Sequence, residues 1–222
     1  MVVKKLFLIL MVLILWGCAS TKNISLQLDD VFSNEEYYSL IRTNNYTKYI
    51  NYYLPSDVQE LDDENLSYIF TYNRSKIIMD VNVSGIINSK YYETYAIKNE
   101  GFFDKGKMIY SHEGNYPNSK EELIPYFYQV YNHDDDYLAY FMSKELIFYV
   151  YSNVEDIVPV TSRILLMAKG ANIDDDNIIY QFSSKDVIDY EKKQVNMFEA
   201  IMPVNGNIND FLIETATDDS TE

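Results

Sequence analysis

The chain has 222 residues, of which 47% are apolar and 23% charged. That is enough apolar material to bury a sizeable core, and it excludes disorder as the general state of the chain. The formal net charge is −16 and only three arginines are present, Arg42, Arg74 and Arg163; such a surface repels a phosphate backbone, so nucleic acid is excluded as the expected partner.

The chain opens with Lys4 and Lys5, followed by eleven uninterrupted apolar residues at 6–16. Eleven residues are too few to span a bilayer as a helix but suit the apolar region of a signal peptide. Leu15-Trp16-Gly17-Cys18 follows at once, and it resembles the lipobox of bacterial lipoproteins. The resemblance implies that residues 1–17 are removed and that Cys18 becomes a lipidated N-terminus. Residues 18–25 would then be the lipidated cysteine and a short tether. No Asp follows Cys18, which by analogy points to the outer rather than the inner membrane of a bacterial cell envelope. Cys18 is the only cysteine, so no intramolecular disulfide and no cysteine metal site can form.

From 26 to 54 the apolar spacing predicts helices. Tyr37, Leu40 and Ile41, then Tyr46, Tyr49, Ile50 and Tyr53, recur at three- and four-residue intervals, and Pro55 ends the segment. A repeating punctuation follows, in which an acidic or amide-rich turn precedes an aromatic-rich run. The turns begin at Asp62, Asp104, Asp134, Asp174 and Asn209, spaced 42, 30, 40 and 35 residues apart. Candidate second helices lie ahead of four of them, at 89–98, 119–131, 161–169 and 191–201. Ser119 with Glu122 has the spacing of a capping box. The many tyrosines are expected on half-buried helix faces.

Ile164-Leu165-Leu166-Met167-Ala168, then Gly170, Ala171 and Asn172, resembles the end of an ankyrin repeat, where a leucine-rich second helix runs into a Gly-Ala turn. Gly170 would close the helix in a left-handed C-cap. The turn spacing, near the ankyrin period of about 33, agrees with that resemblance. The expected fold is therefore mostly α, an ankyrin-like or related α-solenoid of stacked helical hairpins over 26–214, with a solvated tail at 215–222. The alternative is a single α+β domain, because 77–83, 146–151 and 178–182 are rich in strand-forming residues.

Chemistry is sparse. His112 and His133 are the only histidines, and neither has a second His at i+3 or i+4 to make a zinc pair. A calcium loop starting at Asp174 would need Gly at its sixth position and Glu at its twelfth, but Ile179 and Lys185 stand there. One starting at Asp134 has Ala139 and Glu145. No Gly-rich phosphate loop and no nucleophile elbow occur. No catalytic residue, metal or cofactor is expected. The expected role is a lipid-anchored scaffold outside the cytoplasm, held to the bilayer through Cys18 and gripping a protein partner. The resemblance places the contacts at turn tips: Asn172, Asp174, Asp175 and Asn207, with Tyr137 and Tyr180 just after. The alternative role is a small-ligand or cation-binding lipoprotein of α+β type.

Overall fold

The computed structural model describes residues 23–34, 41–64, 66–91 and 107–183. They are mostly β. In chain order the elements are α1 (Ile24–Ser33), β1 (Asn45–Tyr46), β2 (Ile50–Tyr52), β3 (Gln59–Glu64), β4 (Ser67–Tyr72) and β5 (Ser75–Val81). Then come α2 (Val83–Tyr91), β6 (Lys107–Pro117), β7 (Leu123–His133), β8 (Asp136–Ser143), β9 (Leu146–Asn153), α3 (Ile157–Lys169), β10 (Asn172–Ile173) and α4 (Asp175–Phe182). Seven strands form one antiparallel sheet in the order β3-β4-β5-β9-β8-β7-β6, and β1-β2-β10 form a second, small sheet.

This overturns the solenoid. Residues 119–131, expected as a helix, are a β-turn running into β7, and the aromatic runs at 66–70 and 137–141 are β4 and β8. The reason lies in how the sheet is buried. One face carries Tyr68, Phe70, Ile77, Met79, Tyr126, Tyr128, Phe141 and Phe148 in the main core, under Leu28 and Phe32 of α1 and Ile157, Val160 and Ile164 of α3. The other face carries a second cluster of Ile78, Phe127, Tyr131, Leu138, Tyr140, Ile147, Tyr149 and Tyr151, each at most 7% exposed. Strands buried on both faces lose the polar alternation that identifies a strand, and their continuous apolar runs resemble buried helix.

The acidic turns are likewise not repeat boundaries. Asp134 and Asp135 close the β7–β8 hairpin, where His133 pairs with Asp136 and Asp134 takes a left-handed φ of 53°; Asp is among the few non-Gly residues that tolerate it. Asp62, Asp63 and Glu64 lie in β3, an exposed edge strand that carries a register shift between Glu60 and Asp62. Charge and irregularity on an edge discourage pairing with another chain. The turns expected at Asp104 and Asn209, and the helix at 191–201, lie outside the described residues.

Two helices pack against each other on the main core face. Tyr128 in β7 shares a 2.6 Å hydrogen bond with Thr161 of α3, and Tyr110 in β6 donates to Asp29 of α1 at 2.7 Å. Phe32 stacks on His112 with ring centroids 4.2 Å apart. His112 is thus a packing residue, and burial lowers its pKa. Gly170 ends α3 as expected, but its φ is −82°, not left-handed. Among the described residues no helix is long and apolar enough to cross a membrane.

Candidate functional site: a polar cleft above a buried carboxylate

The small sheet brings together segments about 120 residues apart in sequence. Asn51 of β2 pairs with Asn172 of β10, and Ile50 with Ile173. Alternation then sorts the side chains. Ile50, Tyr52 and Ile173 turn into the core, while Tyr46, Asn51 and Asn172, which lie opposite one another across the three strands, share the outer face. The backbone N–H of Asp174 donates to the Tyr49 carbonyl at 2.9 Å and locks the start of α4 to the β1–β2 turn.

A cleft of about 350 Å³ opens at this junction. Thr47, Lys48, Tyr49 and Asn51 line it from one side and Asn172, Ile173 and Asp174 from the other. Its walls are held firmly. Thr47 Oγ lies 2.9 Å from the Tyr68 hydroxyl, Lys48 Nζ donates to the Tyr49 hydroxyl at 2.7 Å, and the Tyr49 ring meets Phe182 edge-on. Asp174 caps α4 by accepting from the Asn177 N–H at 3.1 Å, the usual work of Asp at that position.

Beneath the β10 turn lies a buried polar cluster at one end of the large sheet. Asn118, 2% exposed, organises the β6–β7 turn by accepting from the N–H groups of Lys120 and Glu122. Its amide donates to Glu145 Oε1 at 3.1 Å. Ser119 Oγ donates to the Ala171 carbonyl at 2.8 Å, and Lys120 Nζ to that of Ile173 at 3.1 Å, so the turn supports the cleft wall directly. Tyr116 donates to Ser143 Oγ, and Asn82 to the Ser143 carbonyl. Glu145 is pushed up to about 7, mainly by burial, against the pull of Lys144 and Asn118 and with help from the charges of Asp175 and Glu122. Asp175 is raised for the same first reason, and one of its oxygens is buried without a hydrogen-bond donor.

The structure brings two of the expected contact residues, Asn172 and Asp174, to the cleft, with Asp175 behind them in the carboxylate cluster. Tyr180 stands on α4, 81% exposed. Tyr137 does not join them. It packs partly buried in β8, at the end of the sheet away from the cleft. Cys18 and Asn207 lie outside the described residues. His133 sits at the β7–β8 hairpin with Tyr151 edge-on beside it, at the opposite end of β7 from the β6–β7 turn. Among the described residues no group of three or more His, Cys, Asp or Glu is placed to hold a metal ion. Sequence reasoning missed Thr47, Lys48, Tyr49 and Asn51, because their spacing was read as helical. The only signal was the Ile50-Asn51-Tyr52 alternation. No protein-family model and no curated protein matches the chain.

Proposed function

We propose that the chain is a lipid-anchored protein of a bacterial envelope that binds a small polar ligand, without catalysis, in the cleft between the β1–β2 turn and β10. The observation that carries this reading is the cleft itself. It is concave, sized for a small molecule, and bounded by side chains that converge from two distant segments. Ser119 and Lys120 brace its β10 wall, which is the support a preformed site needs. A cation is not the expected ligand, because Lys48 lies in the same cleft and Asp174 is its one carboxylate.

Two measurements test the two halves of the proposal. For the anchor, cells fed an alkyne-tagged fatty acid are expected to label the chain, and Cys18→Ser is expected to abolish the label and leave the signal uncleaved; a labelled serine variant would end the lipoprotein reading. For the cleft, the lipidated chain in detergent is screened by thermal shift against amino acids, sugars, nucleosides and inorganic ions. A ligand at 100 times its Kd adds about 2.7 kcal/mol of stability, and Asn51→Trp, which fills the cleft, is expected to remove the shift. No shift across the panel, or a shift that survives Asn51→Trp, would remove the cleft from the account.

A further inference from the structure

We infer that the ligand class of this cleft is a neutral sugar, gripped by Asn51 and Asn172 and stacked on Tyr46. The inference rests on the small-ligand reading and adds its chemistry. It begins with the register. Tyr46, Asn51 and Asn172 form one row across β1, β2 and β10, all on the outer face. Tyr46 stands beside the lining of the cleft and is 72% exposed, so its ring is open to a ligand that extends past Asn51. Its hydroxyl is tethered to the Thr43 carbonyl at 3.3 Å, so the ring is held as a platform.

Among the described residues, the two polar side chains of the cleft that make no hydrogen bond are neutral. Lys48 gives one of its three N–H donors to the Tyr49 hydroxyl and lies 4.6 Å from the centre of that ring. Thr47 bonds the Ile50 carbonyl and Tyr68, and one oxygen of Asp174 accepts from the Asn177 N–H. Asn51 and Asn172 are different. Both are half-buried, and among the described residues neither side chain makes a hydrogen bond. Each carboxamide offers two N–H donors and an acceptor oxygen. Opposite residues of an antiparallel pair hold their Cβ atoms about 5 Å apart, so the two amides together present donors and acceptors side by side.

A pair of adjacent sugar hydroxyls needs that arrangement, since each is at once a donor and an acceptor. The C–H face of the ring needs a flat apolar surface, which Tyr46 provides. An anion would have to approach a chain of formal charge −16.

The test uses the lipidated protein in a detergent without a sugar headgroup. Maltose, cellobiose and diacetylchitobiose are titrated while the side-chain amide signals of Asn51 and Asn172 are followed by NMR, with glycine and inorganic phosphate as non-sugar probes. At least one disaccharide is expected to shift both amide signals. Asn51→Asp and Asn172→Asp, which keep the shape but remove the donors, are expected to weaken that affinity at least tenfold. Tyr46→Ala should weaken it similarly, while Tyr46→Trp should retain it. Unchanged amide dispersion elsewhere shows that each variant is folded. Binding of glycine or phosphate with no sugar response would overturn the sugar inference and leave the small-ligand reading standing. No response to any probe here or in the wider panel would overturn both. Sugar binding that is indifferent to Asn51 and Asn172 would overturn the assignment of the grip.

Discussion

Replacing Asp80 by Asn is expected to stabilise the protein at pH 8 far more than at pH 5. Asp80 sits on β5 opposite Ser67 of β4 and is 1% exposed. Its neighbours on that face of the sheet include Ile78 and Ile147. Ser67 Oγ donates to one carboxylate oxygen, and the other has no hydrogen-bond partner. Burial pushes its pKa up to about 7 from 3.8, against the opposing effect of the Ser67 bond. The sign follows from proton counting. Between about pH 4 and pH 7 the folded chain holds a proton here that the unfolded chain has released, so stability falls as pH rises through that window and levels off above it. One pKa unit corresponds to about 1.4 kcal/mol, so the interval from pH 5 to pH 8 costs the wild type about 2–3 kcal/mol at this one group. Asn keeps an acceptor for Ser67 and never ionises. Its melting temperature relative to wild type is therefore expected to rise by about 5–10 °C between those two pH values, at about 2–4 °C per kcal/mol for a chain of this size. Glu145 and the other titrating groups are common to both proteins and cancel in the comparison. An offset that stays constant with pH would show that Asp80 does not titrate in this window.

The same strands show how much of the fold could be read in advance. Residues 77–83 and 146–151 carry strand composition, and β5 and β9 cover most of them. They sit next to each other at the centre of the sheet. The helix ending in Leu165, Leu166, Met167 and Ala168 was legible too, because α3 packs one stripe on the sheet and keeps its 3.6-residue period. β7 was not. Tyr126, Tyr128 and Val130 enter one cluster while Phe127 and Tyr131 enter the other, so no polar alternation survives. The spacing of Ser119 and Glu122 that suggested a capping box belongs to a β-turn, where Asn118 does the capping. Ile178, Ile179 and Tyr180 have strand composition yet form a helix, because Asp174 caps it and Asp175 and Asp176 occupy its first turn. Two of the cleft's lining residues, Asn172 and Asp174, could be singled out in the sequence, as the turn after a Gly-terminated helix, though as contacts for a protein partner. Lys48, Tyr49 and Asn51 could not, since only a pairing across about 120 residues places them there.

Gly170→Ala should carry the largest penalty of any single added methyl near the cleft. The residue's backbone, at φ −82° and ψ 6°, is open to any amino acid, so conformational freedom does not explain the glycine. Close approach does. A Cβ at this position would lie 2.4 Å from Tyr53 Cβ, 3.2 Å from Ile41 Cγ2 and 3.3 Å from the Leu166 carbonyl oxygen. Tyr53 Cβ is fixed to its own backbone just after β2, so it cannot swing aside as the end of a long side chain could. The added methyl must push α3 away from the β2 segment, and overpacking of this kind costs about 1–3 kcal/mol. Asn172 to Asp174 follow closely and form one wall of the cleft, so the displacement should also weaken any ligand that Asn51 and Asn172 hold jointly. Tyr53→Gly removes the obstructing atom along with a useful ring, and alone it is expected to destabilise. In the double variant the steric cost disappears, so the two losses should sum to at least about 1 kcal/mol more than the loss measured for both together, a coupling well outside the scatter for independent sites. Chemical denaturation of the four proteins decides the matter. Strict additivity would mean that Gly170 is selected by something other than its contact with Tyr53, and that the junction of α3 and β10 can give way without disturbing β2.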